Sequence, residues 1–467
     1  MASPELFDVL EIEPQTLWMR TSRAPHFRVR PEVTEHLRRL PGRKLIHSVG
    51  TPVGGTVRPD PEQLVLLRQM VDDVDAPWVS DHLSYNQTPE FATGFFLPPR
   101  QTAAGLETVC ASIDALKRAL PVPIAVETGV NYLRPRPDEL ADGAFVAAVV
   151  ERADCGLLLD MHNAFTNALN GRQPLDDFLA QLPLERVWEI HLAGGMELDG
   201  FWLDAHSGAI PDPLFAVCES LVPKLPNLRA IVFEIFPSFV PLVGLELVRE
   251  QVERLHSLWG MRSVDVVPPP RPFVLRVECD DGNEALPPDA WERALGELVI
   301  GRASSDGAAA QMANDPGVRI VQGLIHEFRA SMVVGVLRLT SRLLMLALGP
   351  QAFRVILDDY WATTPPQLYA SQEAEAFAEH LARLELGVPH LADVLAFERA
   401  ITATLVDEKT RVATFSVEPV PLLRALAEGR LPETPPRPGR YEIELTPDGP
   451  SALDVERAEL EAAFPYH

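Results

Sequence analysis

Seven short β-like runs alternate with helix-like stretches through the first 260 residues, and this alternation limits the fold more than any other feature of the sequence. Several runs are apolar on both faces, such as "LLLD" at 157–160, which is typical of strands buried between other layers. Alternation of this kind predicts parallel strands joined by crossover helices. The runs cover residues 7–13, 44–50, 77–83, 124–129, 156–162, 187–194 and 230–236.

Eight parallel strands would close a TIM-type (β/α)8 barrel, so one strand is missing from this count. We expect it either within the long, loop-like stretch 195–227 or upstream of the first run, in which case the barrel lacks its first strand. The amphipathic stretch 243–259 is typical of a last barrel helix. The sequence therefore predicts an α/β barrel domain over residues 1–265.

A different pattern follows the barrel. Residues 266–275 are rich in proline, as in a stiff linker. Amphipathic helical stretches follow, among them 350–366 and 373–387, and after residue 410 come the strand-like runs "VATFSVEPV" and "YEIELTP". We therefore predict a second, mostly helical α+β domain over residues 276–467.

The chain is acidic, with a formal net charge of −25, which argues against nonspecific binding to nucleic acid or to an anionic membrane. The N-terminus lacks the basic and apolar regions of a signal peptide. The apolar stretch Met332–Leu348 contains two arginines and is too short to span a bilayer. Four scattered cysteines without a CxxC motif suit free thiols, so we expect a cytoplasmic protein.

Residues able to bind a metal lie at or near the end of nearly every predicted barrel strand. In a TIM barrel the carboxyl ends of all strands meet at one face, so these residues would converge. A single histidine in a strand is more often a hydrogen-bonded core residue, and buried carboxylates often form ion pairs. Four histidines and four carboxylates with almost no Lys or Arg beside them favour shared metal binding instead. The candidate ligands are His47, His82, Glu127, Asp160, Asn163, His191, Asp204, His206 and Glu234.

Nine candidate ligands exceed what one ion needs, so we expect two or three ions with bridging carboxylates. No cysteine joins the set, which argues against iron–sulfur sites. Imidazole and carboxylate ligands suit iron, manganese or zinc, and spacing alone does not choose among them. Asp81 and Glu189 have two interpretations: they orient ligand imidazoles, or they point into the helix layer and pair with arginine.

Six motifs, in order along residues 5–260, resemble those of the multinuclear non-heme iron-dependent oxidative enzymes, the TIM-barrel family that includes the methanobactin biosynthesis oxidase. The resemblance implies two or three irons at the barrel mouth. It also implies dioxygen-dependent modification of a Cys, Asp or Asn residue in a ribosomally made precursor peptide. By motif, all nine candidate ligands match metal-binding positions of the family. The motifs are "VSDHLSY", "VETGVNYLR", "ERADCGLLLDMHNAFTNALN", "EIHLAGG", "LDAHSG" and "IVFEIF".

Three features depart from the family pattern. The family begins with a Gly-rich strand before its "LEI" strand, whereas this sequence starts at the "LEI" strand. Either the true start lies upstream or the barrel closes in another way. Gly195 replaces the histidine of the family's "AGH", and His162 stands where the usual "DVNN" has asparagine. His162 either adds a ligand or changes the surroundings of the ligands.

The second domain resembles the partner proteins that accompany these oxidases and hold the leader part of the precursor peptide. Related domains have been described as DNA-binding. The alternative is a structural helical domain without a function of its own. The resemblance rests on "LGPQAFRVILDDYWATTPP", "FAEHL", "PHLADVLAFERAI" and "FSVEPVPLLRALAEG".

Two other functions stay open. A zinc or manganese TIM-barrel hydrolase or isomerase, of the sugar isomerase or phosphodiesterase kind, uses a similar His/Asp/Glu mouth. Such enzymes commonly add Lys or Arg, which these strand ends lack. An inactive barrel joined to a nucleic-acid-binding domain would be a regulator, and the intact ligand set argues against it.

Overall fold

The computed structural model describes residues 6–263, 286–302 and 312–447 and, for the backbone alone, 449–452. Two compact units divide these residues. The first contains the chain up to Trp18, Val29–Pro89 and Phe96–Gln322, and the second contains the remainder. The proline-rich linker 266–275 lies outside the described residues, so the domain boundary placed there stays a prediction.

A seven-stranded parallel sheet forms the centre of the first unit and confirms the predicted TIM-type barrel. Each strand is hydrogen-bonded to the next one in chain order. The first and last strands, which are the two ends of the sheet, lie close to each other, so the barrel is nearly closed. The strands are β1 Val9–Ile12, β2 Arg43–Ser48, β3 Val79–His82, β4 Ile124–Glu127, β5 Gly156–Asp160, β6 Val187–Ala193 and β7 Ala230–Glu234.

Side chains of the strands alternate between the barrel interior and the helix layer, as the two-residue period of a strand requires. Ile46 belongs to the large apolar core between strands and helices. Leu45 and Ala125 belong to a separate small cluster on the opposite face. Two residues further along their strands, the same interior face presents His47 and Glu127. The apolar interior therefore changes to a polar one towards the carboxyl ends of the strands.

Helices pack against the outer face of the strands. Three of them begin with a side-chain cap: Asp60 accepts from the backbone N–H of Glu62, Thr102 from that of Gly105, and Asp160 from that of Asn163. The helices are Pro31–Arg39, Pro61–Val74, Ala103–Ala119, Asp142–Arg152, Met161–Leu169, Leu175–Gln181, Asp212–Leu221, Val240–Val243 and Leu245–Gly260. The last one confirms the helix predicted over 243–259.

The stretch 195–227 does not contain an eighth barrel strand. It forms an antiparallel hairpin, Met196–Leu198 with Phe201–Leu203, before helix Asp212–Leu221. The two strands of this hairpin form a separate sheet and pair with no barrel strand among the described residues. Other short elements are the strands Met19–Arg20, Phe27–Arg28, Tyr85–Gln87 and Ala92–Leu97 and the 3₁₀ turns Pro14–Leu17, Leu184–Arg186 and Val222–Lys224.

The chain beyond the barrel is mostly helical, as predicted. Its helices are Pro288–Val299, Pro316–Val336, Arg338–Leu348, Pro350–Thr363, Ala370–Leu381, Leu391–Asp407 and Pro419–Ala427. A three-stranded antiparallel sheet contains Arg411–Val417, Pro438–Thr446 and Gly449–Ala452. The strand-like run 412–420 ends at Val417, because Pro419 starts a helix and its fixed φ suits the first helical position.

A buried glutamate holds a sharp bend in the second unit. The chain bends by 107° between helices Pro316–Val336 and Arg338–Leu348. The Glu398 carboxylate accepts the N–H groups of Leu339 at 2.7 Å and Thr340 at 2.8 Å, which would otherwise lack partners at the new helix start. Among the described helices, none alone is long and apolar enough to cross a membrane, and only this bent pair passes such a test jointly.

Three of the four cysteines are described, and all three are buried free thiols: Cys110, Cys155 and Cys218. Burial raises the pKa of the Cys155 and Cys218 thiols to about 12 in each case, so neither is ionised near neutral pH. Cys279 lies outside the described residues. The predicted cytoplasmic location stays a prediction.

Candidate metal centre

The nine residues predicted as ligands all lie at the carboxyl end of the barrel strands, and their side chains are buried or half-buried. Six are strand residues, and the strands bring them together from positions far apart in sequence. Asn163 lies in the first turn of helix Met161–Leu169, and Asp204 and His206 lie in the loop after Phe201–Leu203. Their convergence follows from the parallel arrangement of the strands.

The first group of side chains lies on three neighbouring strands. His47 Nε2 is 3.2 Å from Glu127 Oε2, and His82 Nε2 is 3.0 Å from the same oxygen. In the sheet register His82 is directly opposite Glu127. Donor atoms that are about 2.1 Å from a shared ion lie roughly 3.0–3.4 Å from each other, so this group has the spacing of a coordination shell.

Hydrogen bonds fix the orientation of both imidazoles in this group. His82 Nδ1 is 3.2 Å from the Ser48 carbonyl oxygen, and a carbonyl only accepts, so Nδ1 carries the proton. Nε2 of His82 therefore turns a lone pair towards the Glu127 carboxylate. His47 Nδ1 is 2.9 Å from Ser80 Oγ, which orients the second ring. Such partners on the outer nitrogen are typical of metal-binding histidines.

His191 is the centre of a second group. Its Nε2 is 3.0 Å from Glu11 Oε2, and its Nδ1 is 3.3 Å from Glu234 Oε2 and 3.6 Å from Glu127 Oε1. Carboxylate oxygens of Glu127 and Asp160 and a ring nitrogen of His191 all lie within 4.8 Å of one another. The two oxygens of Glu127 thus face different groups of histidines.

Asp204 and His206 form a third group at the rim. His206 Nε2 is 3.0 Å from Asp204 Oδ1 and 3.7 Å from Glu234 Oε2. His206 has a positive φ of 44°, which is uncommon outside glycine and costs backbone energy. Phe236 stacks on its ring with centroids 4.7 Å apart, and the Phe236 N–H donates to the His206 carbonyl. These contacts hold the strained residue in place.

Asp160 and Asn163 are positioned by the start of a helix. β5 ends at Asp160, two residues earlier than predicted, because its carboxylate caps helix Met161–Leu169 by accepting the Asn163 N–H at 2.8 Å. The other oxygen, Asp160 Oδ2, has no hydrogen-bond partner among the described residues. The Asn163 amide donates to the Thr128 carbonyl at 3.1 Å, so Asn163 Oδ1 is directed elsewhere and also lacks a partner there.

The electrostatics of the cluster is that of many buried charges in contact. Burial lowers the pKa of His47, but Glu127 and Glu11 outweigh it and raise the pKa to about 10. The same competition, with Asp204 and Glu234 as the carboxylates, raises the pKa of His206 to about 10. Burial lowers the pKa of His82 to about 4.

The pKa values of the buried carboxylates shift in opposite directions. Burial, with Asp204 and Glu127 adding to it, raises the pKa of Asp160 well above its usual value. Burial also acts on Glu127, but His82 and His47 outweigh it and hold the pKa of that carboxyl well below its usual value. Strong shifts of both signs in one cluster are typical of functional sites.

Buried atoms without hydrogen bonds test whether these residues suit a metal. Several of them approach one another within ion-pair distance without forming a hydrogen bond, so their polar atoms converge in the barrel interior. Nitrogen and oxygen atoms in this state are what a cation needs, and the residues therefore suit bound metal ions. Within the described part of the chain these atoms are Glu11 Oε1, Glu127 Oε2, Asp160 Oδ2, Asn163 Oδ1, His191 Nδ1 and Nε2, His206 Nε2 and Glu234 Oε2.

Glu11 is a site residue that sequence reasoning missed. It lies on the interior face of β1, beside His191, and burial raises its pKa to about 7. Together with His191 and Glu189 it forms another group able to hold an ion. The signal was present, since Glu11 lies in the "LEI" strand, two residues after the interior residue Val9.

Asp81 and Glu189 lie on opposite faces of their strands and therefore have different partners. Asp81 lies on the outer side of β3 and accepts from Thr51 Oγ1 at 2.5 Å and from the His82 N–H, so its partners are not arginines. Glu189 lies on the interior side, accepts from Trp78 Nε1 at 3.0 Å and is 3.9 Å from His191 Nε2.

Curated relatives share sequence with part of the chain. A UPF0276 protein of Chromobacterium violaceum is 34% identical over 180 residues, which are 38% of this chain and 65% of that protein. A UPF0276 protein of Streptomyces avermitilis is 31% identical over 232 residues, 47% of each chain. The match thus spans about half to two thirds of these relatives.

Solved structures match part of the chain at low similarity. An IOLI protein with a bound zinc atom is 14% identical with a TM-score of 0.34, over 55% of this chain and 88% of that one. A D-psicose 3-epimerase from Clostridium cellulolyticum H10, with D-tagatose, is 11% identical with a TM-score of 0.37, over 56% and 91%. Similarity at this level says nothing about the chemistry of this chain.

A family model gives the assignment that these comparisons leave open. Residues 3–251 match the model of the RiPP precursor modification enzymes MbnB/TglH/ChrH, where RiPP denotes a ribosomally made and subsequently modified peptide. The matched range covers more than half of the chain and contains all seven barrel strands and all nine candidate ligands. The chain therefore belongs to the MbnB/TglH/ChrH family of RiPP precursor modification enzymes.

Proposed function

We propose that this chain binds two or three iron ions at the barrel mouth and uses dioxygen to oxidise a Cys, Asp or Asn residue of a ribosomally made precursor peptide. The main support for the metal is the approach of His82 Nε2 to Glu127 Oε2 at 3.0 Å, with the proton of His82 on the other nitrogen. Two acceptors at this distance repel each other unless a cation lies between them. Family membership supports the peptide substrate.

The number of ions follows from how the carboxylates are shared. Glu127 directs Oε2 to His47 and His82 and Oε1 to His191. Glu234 Oε2 lies between His191 and His206. A carboxylate between two sets of donors can bridge two ions, so the arrangement supports three adjacent positions joined by two bridges. We propose that the nine candidate ligands supply these positions.

Iron is the metal we propose, because the donors are imidazoles and carboxylates without thiolates and the chain resembles non-heme iron enzymes. Bound iron would supply the electron transfer to dioxygen that an oxidation needs. Zinc or manganese would fit a similar set of donors and would point to a hydrolase or isomerase. Metal analysis distinguishes these alternatives.

The protein's own residues orient the imidazoles and limit their exposure to water. Phe96 stacks on His82 with ring centroids 4.4 Å apart, as Phe236 does on His206. Phe236 is about half exposed and offers an apolar surface beside the rim of the site. We propose that the substrate peptide packs on this ring while its reactive side chain reaches the metals.

The second unit is proposed to bind the leader part of the precursor peptide. Its antiparallel sheet supports this, because strand Arg411–Val417 pairs on one side with Pro438–Thr446 and is an end strand of the described sheet. An end strand can accept an extended peptide through main-chain hydrogen bonds. Leader binding would raise the local concentration of the core peptide.

Co-expression with candidate precursors tests the function. Short reading frames near the gene that encode Cys, Asp or Asn near their ends would be expressed with the full chain in iron-supplemented, aerated cells. We expect a mass change in one peptide that disappears with His191→Ala and persists with the exposed control His36→Ala. No mass change in any candidate, together with hydrolase or isomerase activity of the zinc form, would overturn the proposal.

A further inference from the structure

Both ring nitrogens of the buried His162 are occupied. Its Nδ1 is 2.9 Å from Asp204 Oδ1, and its Nε2 is 3.3 Å from Trp202 Nε1. An indole N–H can only donate, so Nε2 of His162 must be the acceptor. The proton of the ring is therefore on Nδ1 and is donated to Asp204. Neither nitrogen is left for a metal ion.

The position of Trp202 is fixed from the helix that carries His162. Asn170 follows directly after helix Met161–Leu169, and its side chain makes two hydrogen bonds of 2.8 Å with the backbone N–H and carbonyl of Trp202. Asn170, after the last turn of the helix, therefore holds the backbone of Trp202, and His162, in the first turn, contacts the indole ring of Trp202. These two backbone hydrogen bonds fix the position of Trp202 and so the direction of its indole N–H.

Gly195 provides the space that Trp202 occupies. A Cβ atom at position 195 would lie 2.3 Å from Trp202 Nε1 and 2.6 Å from the Leu203 carbonyl oxygen. Both distances are far below van der Waals contact, and the second involves backbone. Any side chain at position 195 would therefore displace the indole from His162. His162 and Gly195, which both depart from the family pattern, are thus both neighbours of Trp202.

We propose that Gly195, Trp202 and His162 form one positioning unit that orients Asp204 towards His206, and that His162 is not a metal ligand. Asp204 Oδ1 accepts the hydrogen bond from His162 Nδ1 and faces His206 Nε2 at 3.0 Å. A hydrogen bond of this kind fixes which lone pairs of a ligating carboxylate are directed to the ion. The role given to Asp204 and His206 as ligands rests on the proposed function, whereas the state of the His162 ring does not.

Long-range proton–nitrogen spectra of the full chain with ¹⁵N-labelled histidine test the proposal first. The His162 signal is assigned as the one lost in His162→Gln. We expect the Nδ1–H form in the metal-free protein and an unchanged Nε2 signal after Zn²⁺ is added. An Nε2–H form, or a shift of the His162 signal to that of a metal-bound imidazole, would overturn it.

Metal affinity gives the second measurement. Gly195→Ala and Trp202→Phe should each weaken the binding of the ion at Asp204 and His206 by about 10- to 100-fold, as loss of a ligand's hydrogen-bond partner typically does. The matched control Trp259→Phe lies on helix Leu245–Gly260 and should leave the affinity unchanged. Circular dichroism of each variant shows whether the fold is kept.

A double-mutant cycle distinguishes one unit from separate effects. If Gly195 acts through His162, adding Gly195→Ala to His162→Asn should change the metal affinity less than twofold. Full additivity of the two losses would overturn the proposal. If the wild-type chain bound no metal at all, the proposed function would fail, and the spectra of the metal-free protein would still decide the state of His162.

Discussion

Nε2 of His82 lies 3.0 Å from Oε2 of Glu127, while Nδ1 of the same ring donates to the Ser48 carbonyl. The ring is therefore held with its lone pair facing a carboxylate. Burial keeps the pKa of His82 at about 4, so a proton does not relieve this contact near neutral pH. A buried arrangement of this kind is expected where a cation belongs.

Glu127→Gln should remove at least one bound ion while leaving the fold intact. The amide has nearly the same shape as the carboxylate but no charge, and it cannot bridge two ions with two anionic oxygens. Metal content per chain by elemental analysis, with circular dichroism for the fold, measures this effect. Glu250→Gln, on the exposed side of helix Leu245–Gly260, is the control and should keep full metal content.

The metal-free protein should lose stability as the pH rises above 6.5. The pKa of His47 is about 10 when folded, against 6.5 as its ordinary value, so its contribution is complete below pH 6.5 and is lost as pH rises towards 10. His82 acts in the opposite direction: its folded pKa of about 4 means that its own contribution to stability falls as pH drops from 6.5 to 4.

Urea unfolding of the chelator-treated protein at pH 5, 6.5 and 9 measures this dependence. The stability of the metal-loaded protein should depend less on pH between 7 and 9. A bound ion replaces the protons on His47 and His206, whose pKa values are raised. Equal stability of the metal-free protein at pH 6.5 and 9 would contradict the assigned protonation of His47 and His206.

Glu11→Gln should weaken metal binding by about 10- to 100-fold. The Glu11 carboxylate lies 3.0 Å from His191 Nε2, so it either joins the coordination shell or orients this ring. Competition with a calibrated chelator measures the affinity. Asp81→Asn is the comparison, because Asp81 hydrogen-bonds Thr51 on the outer side of the strand and should affect metal binding far less. Equal effects of the two substitutions would remove Glu11 from the site.

Glu373→Ala should lower the free energy of unfolding of the second unit by about 3–5 kcal/mol, as expected for a buried ion pair that loses one partner. The fully buried Glu373 accepts from Arg329 at 2.6 Å, from Tyr360 at 3.0 Å and from the Gln367 N–H at 2.8 Å. Glu327→Ala breaks an exposed pair with Arg354 and should cost less than about 1 kcal/mol. Urea unfolding followed by fluorescence compares them.

The strands were predictable because their period and their apolar faces are local properties of the sequence. "LLLD" shows β5 directly, although the strand ends two residues earlier than its pattern indicates, since Asp160 also caps a helix. Glu11 was missed because it precedes the end of its strand. The contact between His162 and Trp202 joins residues 40 positions apart, and no local pattern reports it.

Metal content of protein purified without oxygen, measured by elemental analysis together with Mössbauer spectroscopy, tests the central claim most directly. We predict two or three iron ions per chain with magnetic coupling between them, reduced in Asp160→Ala and His191→Ala but not in His36→Ala. Stoichiometric zinc with negligible iron, persisting when iron is supplied during expression, would contradict the proposed iron chemistry.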